Sequence, residues 1–252
     1  MSDSGLIGKG YKEYYTDFAD GTIIGTSTTA AGIELVNSSD SGDTAFVETV
    51  SADGPIARAA TDTTDDDMCE LAHRSLSWSV QNGMLSLETR IQFDVVATLA
   101  FNVGFNDDAL EDSNTLPMEL SGTTWTSNAA SWIGFVFDVD ATNDDVHVMW
   151  VDDDSDESRA IADLRMNGIA PVAGEWFGVR LVLNDRGSGN GVYAEFTFVE
   201  ESTGKRAQKT FKTTLDRDVL LTPHIAFENR GAAAHQCDVD YICVKQSRAT
   251  TN

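Results

Sequence analysis

The sequence predicts an all-β protein, an antiparallel β-sandwich preceded by an N-terminal arm. Apolar and polar residues alternate along much of the chain, no segment of twelve or more residues has a helical period, and short polar turns join the alternating segments. Because each alternating segment is apolar on one face only, two antiparallel sheets must pack these faces together. A length of 252 residues with 41% hydrophobic content is enough for one large domain of about a dozen strands.

The alternation also locates the individual strands. The clearest strand, residues 85–95, places Leu87, Ile91 and Phe93 on one face and polar or charged residues on the other. The same pattern predicts strands at 99–105, 133–139, 146–150, 177–183, 192–198, 206–213, 224–228 and 239–244.

The domain organisation follows from where this pattern stops. Residues 1–20 do not alternate and form the predicted arm, while residues 21–252 form a single sandwich domain. Within that domain, segments 26–44 and 51–67 are rich in Thr, Ser, Asp and Ala, and we predict that both are exposed loops.

The arm has an unusual aromatic content. It holds three of the five tyrosines, Tyr11, Tyr14 and Tyr15, together with Phe18. Tyrosine supplies large amphipathic contact area at protein interfaces. Two interpretations remain open: the arm folds back onto its own sandwich, or it docks on a partner protein.

Charge and cysteine content narrow the choice of partners. Residues 13–158 hold 29 Asp and Glu against three Arg, whereas residues 159–252 hold 11 acidic and 12 basic residues. A phosphate backbone would be repelled by most of this surface, so we expect no nucleic-acid partner. No apolar run approaches the roughly 18 residues of a membrane span, and no signal peptide is recognisable. The odd count of three cysteines favours free thiols buried in the core.

One acidic run has partial calcium-loop spacing. Asp152, Asp154, Asp156 and Asp163 match positions 1, 3, 5 and 12 of the template, but Glu157 stands where the sharp turn requires glycine. These four are candidate metal ligands, and a solvated loop is the alternative. We expect no cofactor apart from such a calcium ion.

Tryptophans and paired carboxylates are the residues of this sequence that could bind or cleave a carbohydrate. Trp125 lies in a polar segment and is the candidate for stacking on a sugar ring, whereas Trp150 and Trp176 lie in apolar strands and are predicted to be core residues. Jelly-roll glucanases carry their two catalytic carboxylates at alternate positions of one strand. Neither segment 88–94 nor segment 138–140 has that string, so we expect no enzyme activity.

Three segments resemble the concanavalin A-like (laminin G-like) sandwiches, which are jelly rolls. Residues 131–140, followed by Trp150 and an acidic turn, resemble the central hairpin of that superfamily. Residues 174–181 are similar to its glycine–x–tryptophan strand, and residues 239–244 resemble its closing strand. The resemblance covers residues 75–246 and, in its overall character, is nearest to proteins that coat or cement the heads of tailed bacteriophages.

This resemblance implies a non-enzymatic virion protein that decorates a bacteriophage capsid. Its partners would be the major capsid protein and sister subunits in a homo-oligomer such as a trimer. It would lie on the capsid exterior after synthesis in the host cytoplasm. A lectin-like carbohydrate-binding module for host attachment is the alternative, and a jelly-roll glycoside hydrolase is a third interpretation. The acidity fits a soluble virion surface and equally fits a salt-adapted organism.

Overall fold

Two packed β-sheets form the protein in its computed structural model. The structure describes residues 10–19, 34–73, 76–81, 83–111, 115–156, 159–166 and 168–248. Its strands, in chain order, are β1 (Tyr11–Thr16), β2 (Glu34–Ser38), β3 (Thr44–Ser51), β4 (Gly54–Ala60), β5 (Met68–His73), β6 (Met84–Phe93), β7 (Leu99–Asn106), β8 (Met118–Ser121), β9 (Thr124–Ser127), β10 (Trp132–Asp138), β11 (His147–Asp152), β12 (Ser155–Asp156), β13 (Trp176–Asp185), β14 (Val192–Glu200), β15 (Lys205–Lys212), β16 (Thr222–Asn229) and β17 (Gln236–Ser247). The helix α1 (Ile161–Leu164) is one turn long, and no described helix has the length and apolar character to cross a membrane.

The strands form two large sheets and one hairpin. Sheet A has the order β15-β14-β13-β6-β17-β4-β3, with β1 also paired to β17, and sheet B has the order β12-β11-β10-β7-β16-β5-β2. Strands β8 and β9 form a separate hairpin. Each pairing between these strands is antiparallel, which confirms the predicted all-β sandwich.

The core lies between the inner faces of the sheets. Its centre is a group of stacked phenylalanines, in which the ring of Phe101 lies 5.2 Å from Phe93, 5.5 Å from Phe137 and 5.5 Å from Phe177. Each of these rings is almost fully buried and contributes the large burial free energy of an aromatic side chain. All four lie on the apolar faces predicted from the alternation.

Both predicted loops contain strands instead. Strand β4 lies within segment 51–67 and pairs with β17, with Ala57 and Ala59 buried against Val239 and Cys237. Strand β2 lies within segment 26–44 and pairs with β5. The prediction was wrong there because alanine and threonine carry little hydrophobic signal, and burial at these positions is decided by the neighbouring strand. Residues 26–33 lie outside the described residues.

The described part of the arm belongs to sheet A. Strand β1 pairs with β17, with Tyr14 opposite Val244, so residues 10–19 fold back onto their own sandwich. The rings of Tyr14 and His73 lie 4.5 Å apart, and Phe18 is buried. The predicted lack of alternation is wrong here, because successive tyrosines at 14 and 15 obscure a regular inside–outside pattern. Residues 1–9 and 20 lie outside the described residues.

The acidic segment (residues 13–158) and the nearly neutral segment (residues 159–252) contribute unequally to the two sheets. The nearly neutral segment supplies β13, β14, β15 and β17 to sheet A but only β16 to sheet B. Six of the seven strands of sheet B therefore come from the acidic segment.

The three cysteines are free. Cys69 and Cys237 are buried as predicted, while Cys243 is only half-buried because it faces outward from β17.

Candidate functional site

The outer face of sheet B is covered by the protein's own chain. Strand β8 lies across it, where the side-chain amide of Asn102 exchanges two hydrogen bonds of 2.9 and 2.8 Å with the main chain of Met118. Beside them, a small apolar cluster is fully buried, formed by Met68, Ala100, Leu116 and Ala226. All eight residues of β7 and of β16 are consequently buried on both faces. This face is therefore closed to a large ligand along these strands.

Beneath that cover lies a buried polar network centred on Glu70. Its Oε2 accepts a hydrogen bond from the main-chain N–H of Glu111 at 3.0 Å and lies 2.9 Å from Nε2 of His224. Both Glu70 and His224 are fully buried. The side-chain amide of Asn106 donates to Glu111 at 2.6 Å, and burial raises the pKa of Glu111. These bonds satisfy groups that would otherwise be costly to bury.

A second network surrounds the guanidinium group of Arg230. Arg230 contacts Glu228, lies 2.9 Å from Asp138 and lies 3.9 Å from Glu119. Burial raises the pKa of Glu228 to about 8 and outweighs the opposing attraction of Arg230. Asp138 and Glu228 are each about 98% buried, so they are poorly placed to meet a substrate.

No segment that the structure describes covers the outer face of sheet A, which carries paired charges of both signs. Arg58 lies 2.7 Å from Asp238, and Arg90 lies 2.9 Å from Glu201 and 3.1 Å from Asp240. Two further pairs on this face are Arg180 with Glu88 at 3.8 Å and Lys245 with Glu13 at 3.2 Å. The exposed pairs Arg180–Glu88 and Lys245–Glu13 contribute little to stability, and together all of these pairs leave this face close to neutral.

This open face contains a shallow pocket of about 300 Å³, which we call the sheet A pocket. Its lining includes Glu88, Gly178, Arg180, Thr197, Arg206 and Tyr241. Gly178 forms its floor, since no atom lies within 4 Å of where a Cβ would stand. Strands β6, β13, β14, β15 and β17 each supply at least one of these residues, so the site is assembled from five strands.

The polar groups of the sheet A pocket are suited to a hydroxylated ligand. Thr197 is only 5% exposed, and its Oγ1 has no hydrogen-bond partner. The hydroxyl of Tyr241 donates to Glu88 at 3.1 Å, and burial raises the pKa of Tyr241, which keeps the phenol protonated. Guanidinium groups at the rim add fixed donors, so donors and acceptors are both present in one pocket.

The arm supplies an aromatic wall beside the pocket. The rings of Tyr15 and Tyr241 are stacked with centroids 6.2 Å apart. Tyr15 remains 57% exposed and Tyr11 62% exposed. An aromatic surface next to convergent polar groups is a common composition for a small-ligand site.

Trp125, which was predicted to be exposed and to stack on a sugar ring, lies outside the sheet A pocket and is not exposed. It lies in β9, half-buried against the core, with its ring 5.9 Å from that of His147 and its Nε1 buried. The prediction failed because the polar composition of its segment hides the fact that the hairpin packs against β10. Trp150 is core, as predicted, whereas Trp176 is buried at the edge of the open face and donates to Asp53 at 2.9 Å.

The four candidate calcium ligands do not come together in one loop. The Oδ1 of Asp152 accepts a hydrogen bond from the N–H of Asp216 at 2.9 Å, Asp154 is exposed in a turn, Asp156 lies in β12, and Asp163 is exposed in α1. Among the side chains that the structure describes, carboxylates converge closely at a different place, at Asp40, Asp43 and Asp67.

Sequence reasoning missed the two buried networks and the sheet A pocket. Glu70 and His224 are separated by 154 residues, so no local motif joins them. A usable signal was present, since Asn102, Asn106 and Glu228 interrupt strands that are otherwise apolar. Polar residues on a strand face that is buried indicate a covered polar network rather than a solvent-facing side.

Comparison with known proteins identifies the fold. No protein-family model and no curated protein sequence matches this chain. Among solved structures, it resembles a protein of unknown function from Shewanella oneidensis MR-1, with a TM-score of 0.56, 11% identity and coverage of 98% of this chain and 90% of that one. It also resembles peanut lectin with a 9-mer peptide (TM-score 0.56, 8% identity, 96% and 99% covered) and lectin UEA-II complexed with galactose (0.55, 12%, 93% and 98%). The chain thus shares the antiparallel β-sandwich fold of these lectins.

Proposed function

We propose that this protein is a non-catalytic, lectin-like carbohydrate-binding protein whose ligand occupies the sheet A pocket. The observation that carries the proposal is the polar lining of the pocket, where the hydroxyl of Tyr241 donates to Glu88 at 3.1 Å beside the guanidinium groups of Arg180 and Arg206. Sugar hydroxyls would pair with these groups, because a hydroxyl both donates and accepts. The stacked rings of Tyr15 and Tyr241 supply an apolar surface for the C–H face of a sugar ring.

The closed outer face of sheet B supports a binding function rather than a catalytic one. The buried carboxylates of Glu70, Asp138 and Glu228 are engaged by partners of this chain, and the segment above β7 and β16 covers them. A glycosidase needs two carboxyl groups that reach the scissile bond from an open cleft. The likeness to galactose-complexed UEA-II supports the carbohydrate class through the fold alone.

The sheet A pocket can be tested by filling it. We expect Gly178→Leu to abolish binding on a glycan array, because its side chain would occupy the floor of the pocket, where nothing now lies within 4 Å. Tyr241→Ala should weaken binding at least tenfold by removing a wall and a hydroxyl.

Two control variants make that test specific. Thr210→Leu adds a similar side chain at an exposed position of β15 outside the pocket, and Trp125→Ala removes the tryptophan predicted from sequence. Both should bind glycans like the wild type. The proposal is wrong if the wild type binds no glycan, or if Gly178→Leu binds undiminished while Trp125→Ala does not.

A second candidate function is the virion decoration role, and the edge of sheet A favours it. Strand β3 is the last strand on that side, and it exposes Val47 and Val50 by 47% and 77%. Apolar edge strands pair readily with another chain unless they are protected. Here we propose that β3 and the exposed Tyr11 contact sister subunits or the major capsid protein on the capsid exterior.

Self-association is the measurable consequence of that second role. We expect the wild type to sediment as an oligomer at about 100 μM, and Val50→Lys to shift it to a monomer, because a charge opposes pairing of edge strands. Leu220→Lys, at another exposed apolar position, is the matched control and should remain oligomeric. A monomeric wild type that also fails to co-purify with virions would remove this candidate.

A further inference from the structure

Two neighbouring connections carry the chain between the sheets at one edge of the sandwich. Residues 39–43 lead from β2 in sheet B to β3 in sheet A, and residues 61–67 lead from β4 in sheet A back to β5 in sheet B. The connections are hydrogen-bonded to one another, since the N–H of Asp62 donates to Asp43 at 2.9 Å. Any group that bound both connections would therefore fasten the two sheets together.

Carboxylates from both connections converge at this crossing. Asp40, Asp43 and Asp67 each offer an oxygen, and these three oxygens all lie within 4.8 Å of one another. Calcium binds oxygen ligands at about 2.4 Å, so two ligands of one ion stand at most about 4.8 Å apart. Asp62 adjoins the group, because a Cβ on Gly42 would lie 2.1 Å from its Oδ2. The glycine at position 42 leaves space for that carboxylate.

The buried carboxylate of Asp67 has no partner of opposite charge, and a cation would stabilise it. Asp67 is only 5% exposed, and its Oδ2 is enclosed without a hydrogen-bond partner. An unpaired buried carboxylate is costly unless a positive charge compensates it.

No protein cation supplies that compensation in the part of the chain that the structure describes. The ion pairs of the described residues include none with Asp40, Asp43, Asp62 or Asp67. Arg230 lies 3.8 Å from the neighbouring Asp66 but is engaged by Asp138 and Glu228. The described hydrogen bonds to these four carboxylates come from main-chain N–H groups and from the side chain of Thr64, and none comes from a basic side chain.

We propose that Asp40, Asp43 and Asp67, supported by Asp62, bind a calcium ion that ties the two inter-sheet connections together. An all-oxygen, highly charged ligand set selects a hard cation and not zinc or copper. Calcium suits it better than magnesium, because calcium accepts irregular geometry and a higher number of ligands. The site is separate from the acidic run at 152–163 and from the sheet A pocket.

The test is calcium-dependent stability of the full chain after treatment with EDTA. Isothermal titration should show one calcium ion bound per chain. The melting temperature should rise by about 5–10 °C once free calcium reaches 100 times its Kd. Magnesium at the same concentration should give a smaller shift.

Asp67→Asn separates binding from folding. It keeps the shape of the side chain and removes the unpaired charge, so without calcium it should melt no lower than the wild type, and the calcium-dependent shift should disappear. Asp154→Asn, an exposed acidic residue of the other run, is the matched control and should keep the full shift. The proposal is overturned if wild-type protein shows no heat of binding and no shift in millimolar calcium, or if Asp67→Asn retains the shift.

Discussion

Replacing Arg230 with methionine is expected to lower the free energy of unfolding by about 3–5 kcal/mol at pH 8. The guanidinium group is the described positive partner of Asp138 and Glu228, both of which are almost fully buried. Methionine retains the apolar stem and leaves both carboxylates without a counter-charge. Urea unfolding at pH 8 measures the loss as a lower midpoint with an unchanged slope.

The pH dependence of this loss has a defined sign. The pKa of Glu228 is raised in the folded state from 4.5 to about 8, so its contribution to stability is present below pH 4.5 and is lost as the pH rises through 8. Without Arg230 the carboxylates would ionise at still higher pH. The cost of Arg230→Met should therefore be largest at pH 8 and should shrink toward pH 5, where Glu228 is protonated.

The matched control is Glu228→Gln, which cannot ionise. It should flatten the decline in stability of the wild type between pH 5 and 8, and it should recover part of the loss when combined with Arg230→Met. If Arg230→Met costs the same at pH 5 as at pH 8, the buried carboxylates are not the cause of the instability.

Gly134→Ala is expected to cost about 3 kcal/mol or more of unfolding free energy. Gly134 on β10 lies opposite Gly104 on β7. An added Cβ would lie 2.3 Å from the carbonyl oxygen of Val103 and 2.7 Å from the Cα of Gly104. Both obstacles are backbone atoms in a central pair of strands, so neither can rotate away. Only a displacement of the strands would relieve the overlap.

Gly178→Ala provides the control for this prediction. It is also a strand glycine, but no atom lies within 4 Å of its added Cβ. This variant should be neutral or stabilised by up to about 1 kcal/mol, because alanine loses less backbone entropy on folding. Equal melting temperatures for Gly134→Ala and Gly178→Ala would show that the close approach of β7 and β10 does not constrain the sequence.

The sequence predicted the central strands because their burial is local information. In β13 every second residue is strongly apolar, and β6 follows the same pattern apart from Thr89, so the alternation alone places Leu87 and Leu181 toward the core. Strand β4 was not predicted because the alanines at 57 and 59 become buried only when β17 lies beside them. Strand β1 was not predicted for a related reason, since its partner strand is more than 225 residues away along the chain.

The candidate site was beyond prediction from sequence, because it depends on which sheet face remains open. Alternation states that Gly178 and Thr197 face away from the core, but it does not state whether another segment covers them. Segment 115–131 covers sheet B and leaves sheet A open, and this choice is made by tertiary contacts such as those of Asn102 with Met118. Trp125 was wrongly predicted to be exposed for the same reason, because the sequence does not show which segment covers sheet B.

The pairing of β1 with β17 determines how the protein responds to a pulling force. Tyr11 lies opposite Ser247, and the N–H of Arg248 donates to the carbonyl oxygen of Gly10 at 2.9 Å, so both ends of the described chain leave the sheet at the same corner. The interstrand hydrogen bonds of an antiparallel pair run perpendicular to the strands. Tension applied through residues 10 and 248 would load them one at a time, so β1 would unzip from the sheet before the core was strained.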